Sequence, residues 1–251
     1  MPKVWRWVIA LAVLGVFSII PLWRWIKWKD PARIIRLGLD LAGGTYFLVQ
    51  IEPFEEGKEV TQEDVLSVGT VLQNRLDPTG SKEILVLQRG FNRFEIQIPG
   101  EKDPKRVRNL LEKTAFLEFL FAGDMPLEKG ENVEGKNLPQ WLTGEDLKSA
   151  HPTIGQYGQP VVGFELKSAA AKKFGRLTEE NVNKYLCIVL DKTVISCPVI
   201  RSAISQGQGV IEGDFTQQDV EDMVAVLNSG RLPARVKVVS ELSVSPYLGK
   251  S

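Results

Sequence analysis

Apolar and polar positions along the chain follow two periods, and the switches between them mark out the elements. Residues 45–51 (TYFLVQI) form a β-branched and aromatic run that predicts a strand. Val65, Val68, Leu72 and Leu76 then recur every three or four residues, which places them on one face of a helix. Thr61 with Asp64 three residues on reads as its capping box, and Asp77, Pro78 and Gly80 stop it. Residues 83–88 and 93–98 predict a hairpin around Gly90, with Phe94, Ile96 and Ile98 on one face and Arg93, Glu95 and Gln97 on the other. Asp103 before Pro104 opens a short helix carrying Val107, Leu110 and Leu111, and residues 115–121 return as a strand. The order is βαββαβ.

The same order recurs without sequence repetition. Residues 161–166 predict a strand, Ser168 caps a helix, residues 186–190 and 193–200 form a hairpin, and residues 235–242 form a last strand. The helix before that strand starts at Thr216 with Asp219 in the capping position. It carries Val220, Met223, Val224 and Leu227 and ends at Gly230 before Pro233. Between the two repeats, residues 123–160 are rich in Gly, Pro, Asn and Gln and have little periodicity. They read as a long loop with at most one short helix near residues 144–148, and as a subdomain junction. The expected fold class is α+β, built from ferredoxin-like βαββαβ units.

The first residues depart from this pattern. Residues 8–23 carry no charge, lie between Arg6 and Arg24, and are flanked by Trp5, Trp7, Trp23, Trp25 and Trp28. From Trp5 to Trp25 a helix would rise roughly 30 Å, the thickness of a bilayer core, with an aromatic belt at each end. One N-terminal transmembrane helix is expected, and no small-x-small cleavage site favours a cleaved signal peptide. Arg24, Lys27, Lys29, Arg33 and Arg36 outnumber Lys3 and Arg6, so a positive-inside count alone would hold the following domain in the cytoplasm. That rule weakens when the flank opens into a long domain.

Composition removes several function classes. The 251 residues are 43% apolar and 25% charged, and Lys plus Arg (31) equals Asp plus Glu (31), so no cationic field is present to hold nucleic acid. Two cysteines and one histidine cannot assemble a four-ligand zinc site. His151 stands in the predicted loop without a nucleophile at motif spacing, and residues 77–80 (DPTG) fit a helix stop better than an aspartic protease motif. No phosphate-binding glycine motif occurs, so neither catalytic residues nor cofactors are expected. Cys187 and Cys197 lie on opposite arms of one predicted hairpin. A two-residue turn at Asp191 and Lys192 sets Cys187 opposite Ser196, so two buried free thiols are favoured over a bridge, which a three-residue loop would allow.

Residues 37–44 read LGLDLAGG, and with Asn74, Arg75 and Asp77 they resemble the signature of the SecD family of protein-export subunits, found in related form in SecF. The signature positions are Leu37, Gly38, Asp40, Gly43, Gly44, Asn74, Arg75 and Asp77. The resemblance continues through Gly80, Glu83, Gly90, Arg93, Pro99 and Gly100, then LTEENV at 177–182, IVLDKTVISCPVI at 188–200, GDFT at 213–216, SGRLPA at 229–234 and SVSPYLG at 243–249. The family commonly has arginine where Ala42 stands, and it continues beyond the position of Ser251 into further membrane helices.

The resemblance implies an accessory subunit of the Sec translocase that promotes preprotein export with the proton motive force. It implies a cytoplasmic membrane protein whose large domain is extracytoplasmic. The implied partners are SecF, SecYEG, SecA, YajC, YidC and unfolded preprotein. It also implies a membrane anchor at residues 1–29, a base subdomain at 30–121, an inserted head at 122–212 and a return to the base at 213–251. Exposed apolar groups around Tyr157, Val161, Val162 and Phe164 are the candidate preprotein contacts, set against a plain buried strand. The competing readings are a membrane-anchored hydrolase and a regulatory or ligand-binding ferredoxin-like module.

Overall fold

The computed structural model describes residues 43–55 and 57–245. The expected membrane span, Leu37, Gly38, Asp40 and the last six residues lie outside the described residues. Within them the protein is mixed α+β, with three antiparallel sheets.

The first sheet contains β1 (Gly44–Glu52), β2 (Leu85–Gln88) and β3 (Arg93–Pro99), and its order is β11-β1-β3-β2, with β11 (Arg235–Val244) arriving from the far end of the chain. Helices α1 (Gln62–Leu76) and α2 (Pro104–Glu112) cover one face. Val65, Val68 and Leu72 from α1 and Val107 and Leu111 from α2 meet Phe47, Val49, Ile51, Phe94 and Ile96 there, all nearly inaccessible. The capping box at Thr61 and Asp64 forms as the spacing predicts, and both bonds to Thr61 hold the Asp64 carboxyl below the usual carboxylate range.

The strand expected to close this unit goes elsewhere. β4 (Leu117–Gly123) pairs with β5 (Gln140–Thr143) and with β8 (Tyr185–Leu190), and with β9 (Thr193–Ser196) at the edge the sheet has the order β5-β4-β8-β9. The reason is visible in the residues. Leu117 and Phe119 face one core and Leu120 faces another, so β4 buries both faces and needs a sheet covered on both sides. β8 does the same, with Leu186, Ile188 and Leu190 on one side and Cys187 and Val189 on the other. β11 buries only Val236 and Val238 and exposes Arg235 and Lys237, which suits the edge of a sheet with one dry face.

The expected second ferredoxin-like unit does not form as one sheet. β7 (Pro160–Leu166) lies in a third sheet, order β10-β7-β6, between β10 (Gln208–Ile211) and β6 (Leu147–Ile154). The hairpin β8 and β9 (Thr193–Ser196) belongs to the second sheet, and β11 belongs to the first. Helices α3 (Ser168–Glu180) and α4 (Gln217–Ser229) complete the core between the second and third sheets. Phe119 is its centre, with the Phe164 and Phe174 rings edge-on at 5.5 and 6.0 Å. Lys167, not Ser168, takes the N-cap position of α3, and it makes no side-chain cap bond.

Residues 123–160 are more ordered than their composition suggests. They contain β5, a 3-10 turn at Gly144–Asp146 and β6. β6 carries His151 and Pro152, which hide its strand character, and proline is tolerated because β6 is an edge strand whose only strand partner is β7. The remaining loop is tied to the second sheet. Gly130 and Val133 donate to the Val194 and Lys192 carbonyls, and Leu127, Val133 and Leu138 cover the outer face of the sheet.

Cys187 and Cys197 form a disulfide, which corrects the expectation of free thiols. The two-residue turn is there, with Asp191 and Lys192 both at positive φ and Leu190 opposite Thr193. An irregularity between Ile188 and Val189 then shifts the register, so that Ile188 faces Ser196 and Cys187 comes level with Cys197. Turn length alone does not reveal a bulge. Closing a loop with a sequence separation of 10 residues is expected to contribute about 2–3 kcal/mol. Thermal unfolding with and without reductant should show a matching fall in Tm, and an unchanged Tm would mean the bridge contributes nothing.

Candidate functional site

The chain passes from the α1/α2-covered sheet to the other two sheets and back through two segments, residues 113–116 after α2 and residues 230–234 after α4. The two crossings touch, since Leu232 N–H donates to the Thr114 carbonyl at 2.9 Å. Ala115 adopts a φ of 63°, a conformation a side chain makes costly, so something must hold it. Asp191, at the tip of the β8–β9 turn, does this by accepting from the amides of Thr114 (2.9 Å), Ala115 (3.3 Å) and Phe116 (2.8 Å). Arg231 lies over the Phe116 ring at 4.4 Å and over Phe54 at 5.7 Å, and Lys192 covers Phe116 at 4.7 Å.

Arg75 closes the same junction from below. It sits in the last turn of α1, is 1% exposed, and reaches the ends of two other helices. One Nη donates to the Leu110 carbonyl at 2.8 Å and to the Lys113 carbonyl, the other to the Gly230 carbonyl at 3.3 Å, and Nε donates to the Ser229 hydroxyl at 3.1 Å. The C-terminal ends of α1, α2 and α4 therefore converge on one guanidinium. Their orphan carbonyls and negative dipole ends are what a buried cation needs. Burial pulls the Arg75 pKa down to about 10, partly opposed by Asp191, and the group stays charged at neutral pH. Beside the crossings lies a cleft of about 310 Å³ lined by Ala115, Phe116, Gln140, Thr143, Leu227 and Arg231 among others.

The remaining signature residues are placed as follows. Asn74 is exposed on α1. Asp77 ends that helix by accepting from the amides of Ser81 and Lys82, both at 3.0 Å, so DPTG is a helix stop. Gly43 accepts from Gly100 N–H at 3.0 Å, and Gly44 stands between Pro99 and Val244 at the start of β1. Gly44 has a φ of 140°, and a Cβ there would lie 2.3 Å from the Ile98 carbonyl oxygen. Among the candidate contact residues, Val161, Val162 and Phe164 are core residues of β7, so the buried-strand reading describes them, and Tyr157 alone projects, 87% exposed at the β6–β7 turn. His151 is exposed on β6 with its ring over Gly163.

Sequence reasoning passed over Asp191 and the burial of Arg75. The signal for Arg75 was available, because positions 65, 68, 72 and 75 continue one helical stripe and put the arginine on its apolar side. Asp191 gave no signal beyond being a turn residue. Among the described residues no group of three His, Cys, Asp or Glu side chains could hold a metal ion.

Two family models match the chain. The SecDF P1 head subdomain matches residues 126–234, and the N-terminal part of the P1 domain of protein translocase subunit SecDF matches residues 65–122. Protein translocase subunit SecD of Dictyoglomus turgidum is 37% identical over 226 residues, which cover 90% of this chain and 52% of that protein. A crystal structure of SecDF in a super-membrane-facing form superposes with a TM-score of 0.70 at 32% identity, covering 96% of this chain and 36% of that one. A second solved chain, from work on SecDF as a membrane component that enhances protein export, gives a TM-score of 0.63 at 30% identity and is covered to 98% by 78% of this chain. The chain spans about half the length of the curated SecD relatives it matches, 52% in the case above.

Proposed function

We propose a function from one premise: the chain belongs to the SecD/SecDF family of protein translocase subunits. It is an accessory component of Sec translocation and carries the P1 region of that family. The finer assignment is that residues 43–245 form an extracytoplasmic domain that meets the emerging preprotein, held to the membrane by the span at residues 8–23. SecF, SecYEG and SecA are its proposed partners, with YajC and YidC at the periphery of the same assembly. The assembly draws on the proton motive force. Residues 8–23 contain no ionisable group, so proton transfer falls to membrane helices elsewhere in it.

The observation that carries the placement outside the cytoplasm is the Cys187–Cys197 disulfide, because such bridges persist in oxidising compartments. The base is the first sheet with α1 and α2, a ferredoxin-like βαββαβ unit whose last strand is β11. The head is the other two sheets with α3 and α4. Pairing of β4 with β8 and packing of α4 on β6 and β7 support moving both out of the base, where residues 30–121 and 213–251 would put them.

Protease added to right-side-out spheroplasts should digest residues 43–245. Protection there, with digestion in inverted vesicles, would place the domain in the cytoplasm and overturn the assignment. An arrested preprotein should crosslink to the second and third sheets, and crosslinks confined to the first sheet would refute the division of roles.

A further inference from the structure

Two strand edges in the head are left open on one cleft, and the geometry points to an extended polypeptide strand as its occupant. The first edge is β10. Leu166 N–H donates to the Gly207 carbonyl, and Gly209 pairs with Phe164, so the Gly207 carbonyl and the backbone groups of residues 209 and 211 serve β7. Those of Gln208 and Val210 face away from β7 and have no backbone partner among the described residues.

The second edge follows the disulfide. Leu186 N–H donates to the Pro198 carbonyl and Ile200 N–H to the Lys184 carbonyl, which makes Val199 and Tyr185 the non-bonded pair between them. The N–H and C=O of Val199 therefore point away from β8. Both edges line the same cleft of about 480 Å³, with Leu186, Ile200, Ile204, Val199 and Val210 supplying apolar surface. Val199 and Val210 are 38% and 44% exposed, and Arg201 and Glu212 balance in charge at the margin.

Unpaired backbone donors and acceptors specify their complement. A chain in β conformation supplies alternating C=O and N–H at the same repeat, whatever its side chains are. Nucleic acid lacks that pattern and would meet a lining with no net charge. Open edges are liabilities that folds usually cover, and two other edges here are blunted: Asn228 bonds the Ala150 N–H and C=O on the outer side of β6, and Glu112 accepts from Val238 N–H in β11. The β10 edge has neither device. Strand addition would give sequence-tolerant holding of an unfolded chain, a mode of contact for the role proposed above, on which this inference rests. The mode also explains why the buried Val161, Val162 and Phe164 of β7 need not be exposed, since β7 acts as the neighbour of the receiving strand.

The test uses the full 251-residue chain and reduced, carboxymethylated lysozyme as a permanently unfolded probe. Val210→Pro removes one outward N–H and none of the bonds to β7, as edge strands tolerate. It is expected to weaken probe binding about tenfold, while Val210→Ala stays within about threefold of the native protein. Amide exchange on the unsubstituted protein covers the case in which Val210→Pro does not fold. Saturating probe should slow exchange at Val199, Gln208 and Val210 and leave the β2 edge unchanged. Probe binding with no protection at these amides, and no loss in Val210→Pro, would overturn the placement while leaving the preprotein role standing. Absence of any binding to the native protein would overturn both. Protection that appears without probe and grows with protein concentration would make a second copy of the chain the occupant and likewise overturn the proposal.

Discussion

Arg75→Ala is expected to destabilise the protein by on the order of 3–5 kcal/mol, a large part of what a domain of this size has to lose. The guanidinium is 1% exposed and bonds the carbonyls of Leu110, Lys113 and Gly230 and the Ser229 hydroxyl. Removing it takes the donor away from the Leu110 carbonyl, which is buried, and from the part-buried Lys113, Gly230 and Ser229 acceptors at the ends of α2 and α4. It also leaves a cavity where a long side chain was. Arg75→Lys keeps the charge and loses the planar fork, so it should recover only part of the difference. Arg75→Met fills the volume without donors and separates packing from hydrogen bonding. Urea titration followed by near-ultraviolet circular dichroism measures all three, and a loss below about 1 kcal/mol for Arg75→Ala would show that the helix ends do not depend on it.

Gly44→Ala should be nearly as damaging, on the order of 3 kcal/mol or more, although it adds a single methyl group. A Cβ at Gly44 would lie 2.3 Å from the Ile98 carbonyl oxygen and 2.9 Å from both Gly100 N and Pro99 Cα, all of them backbone atoms that cannot rotate away. Its φ of 140° is also one that only glycine adopts readily. β1 is the central connection of its sheet, paired on both sides from Gly44 onward, so a shift here moves the register against β3 and β11 together. Gly80→Ala provides the comparison. Gly80 has a φ of 64° but open space around it, and its substitution should cost only about 1 kcal/mol from backbone strain. Calorimetry on the two variants decides the matter, and equal losses would mean that the contact at Gly44 relaxes cheaply.

Both residues belong to the signature that carried the family resemblance, and the structure gives them structural work. Gly44 lets β1 approach β3 closely. Arg75 gathers the helix ends beneath the two crossings between sheets. The signature therefore identifies the fold of this region, and the open strand edges that could meet another chain lie outside it.

Local chemistry was enough to read the elements. The capping boxes at Thr61 and Thr216, the stops at Asp77 and Gly230 and the turn at Asp191 and Lys192 all depend on residues within a few positions of each other. Apolar periodicity gave the helix faces for the same reason. Three strands were hidden: β5 and β10 are only four residues long, and β6 carries His151 and Pro152, which an edge strand can accommodate. Partnership between strands was not local. Whether β4 or β11 lies beside β1 depends on which neighbour can bury a second face of β4, and that neighbour, β8, begins 62 residues after β4 ends, counting from Gly123 to Tyr185. The disulfide waited on the same kind of information, since one irregularity in β9 moves Cys197 level with Cys187. Sequence by itself determined where the chain bends, coils and extends, because those choices are made by neighbouring residues. Tertiary structure decided which strands share a sheet, which cysteines meet and which backbone edges stay open, because those depend on competition between distant segments for the same apolar faces.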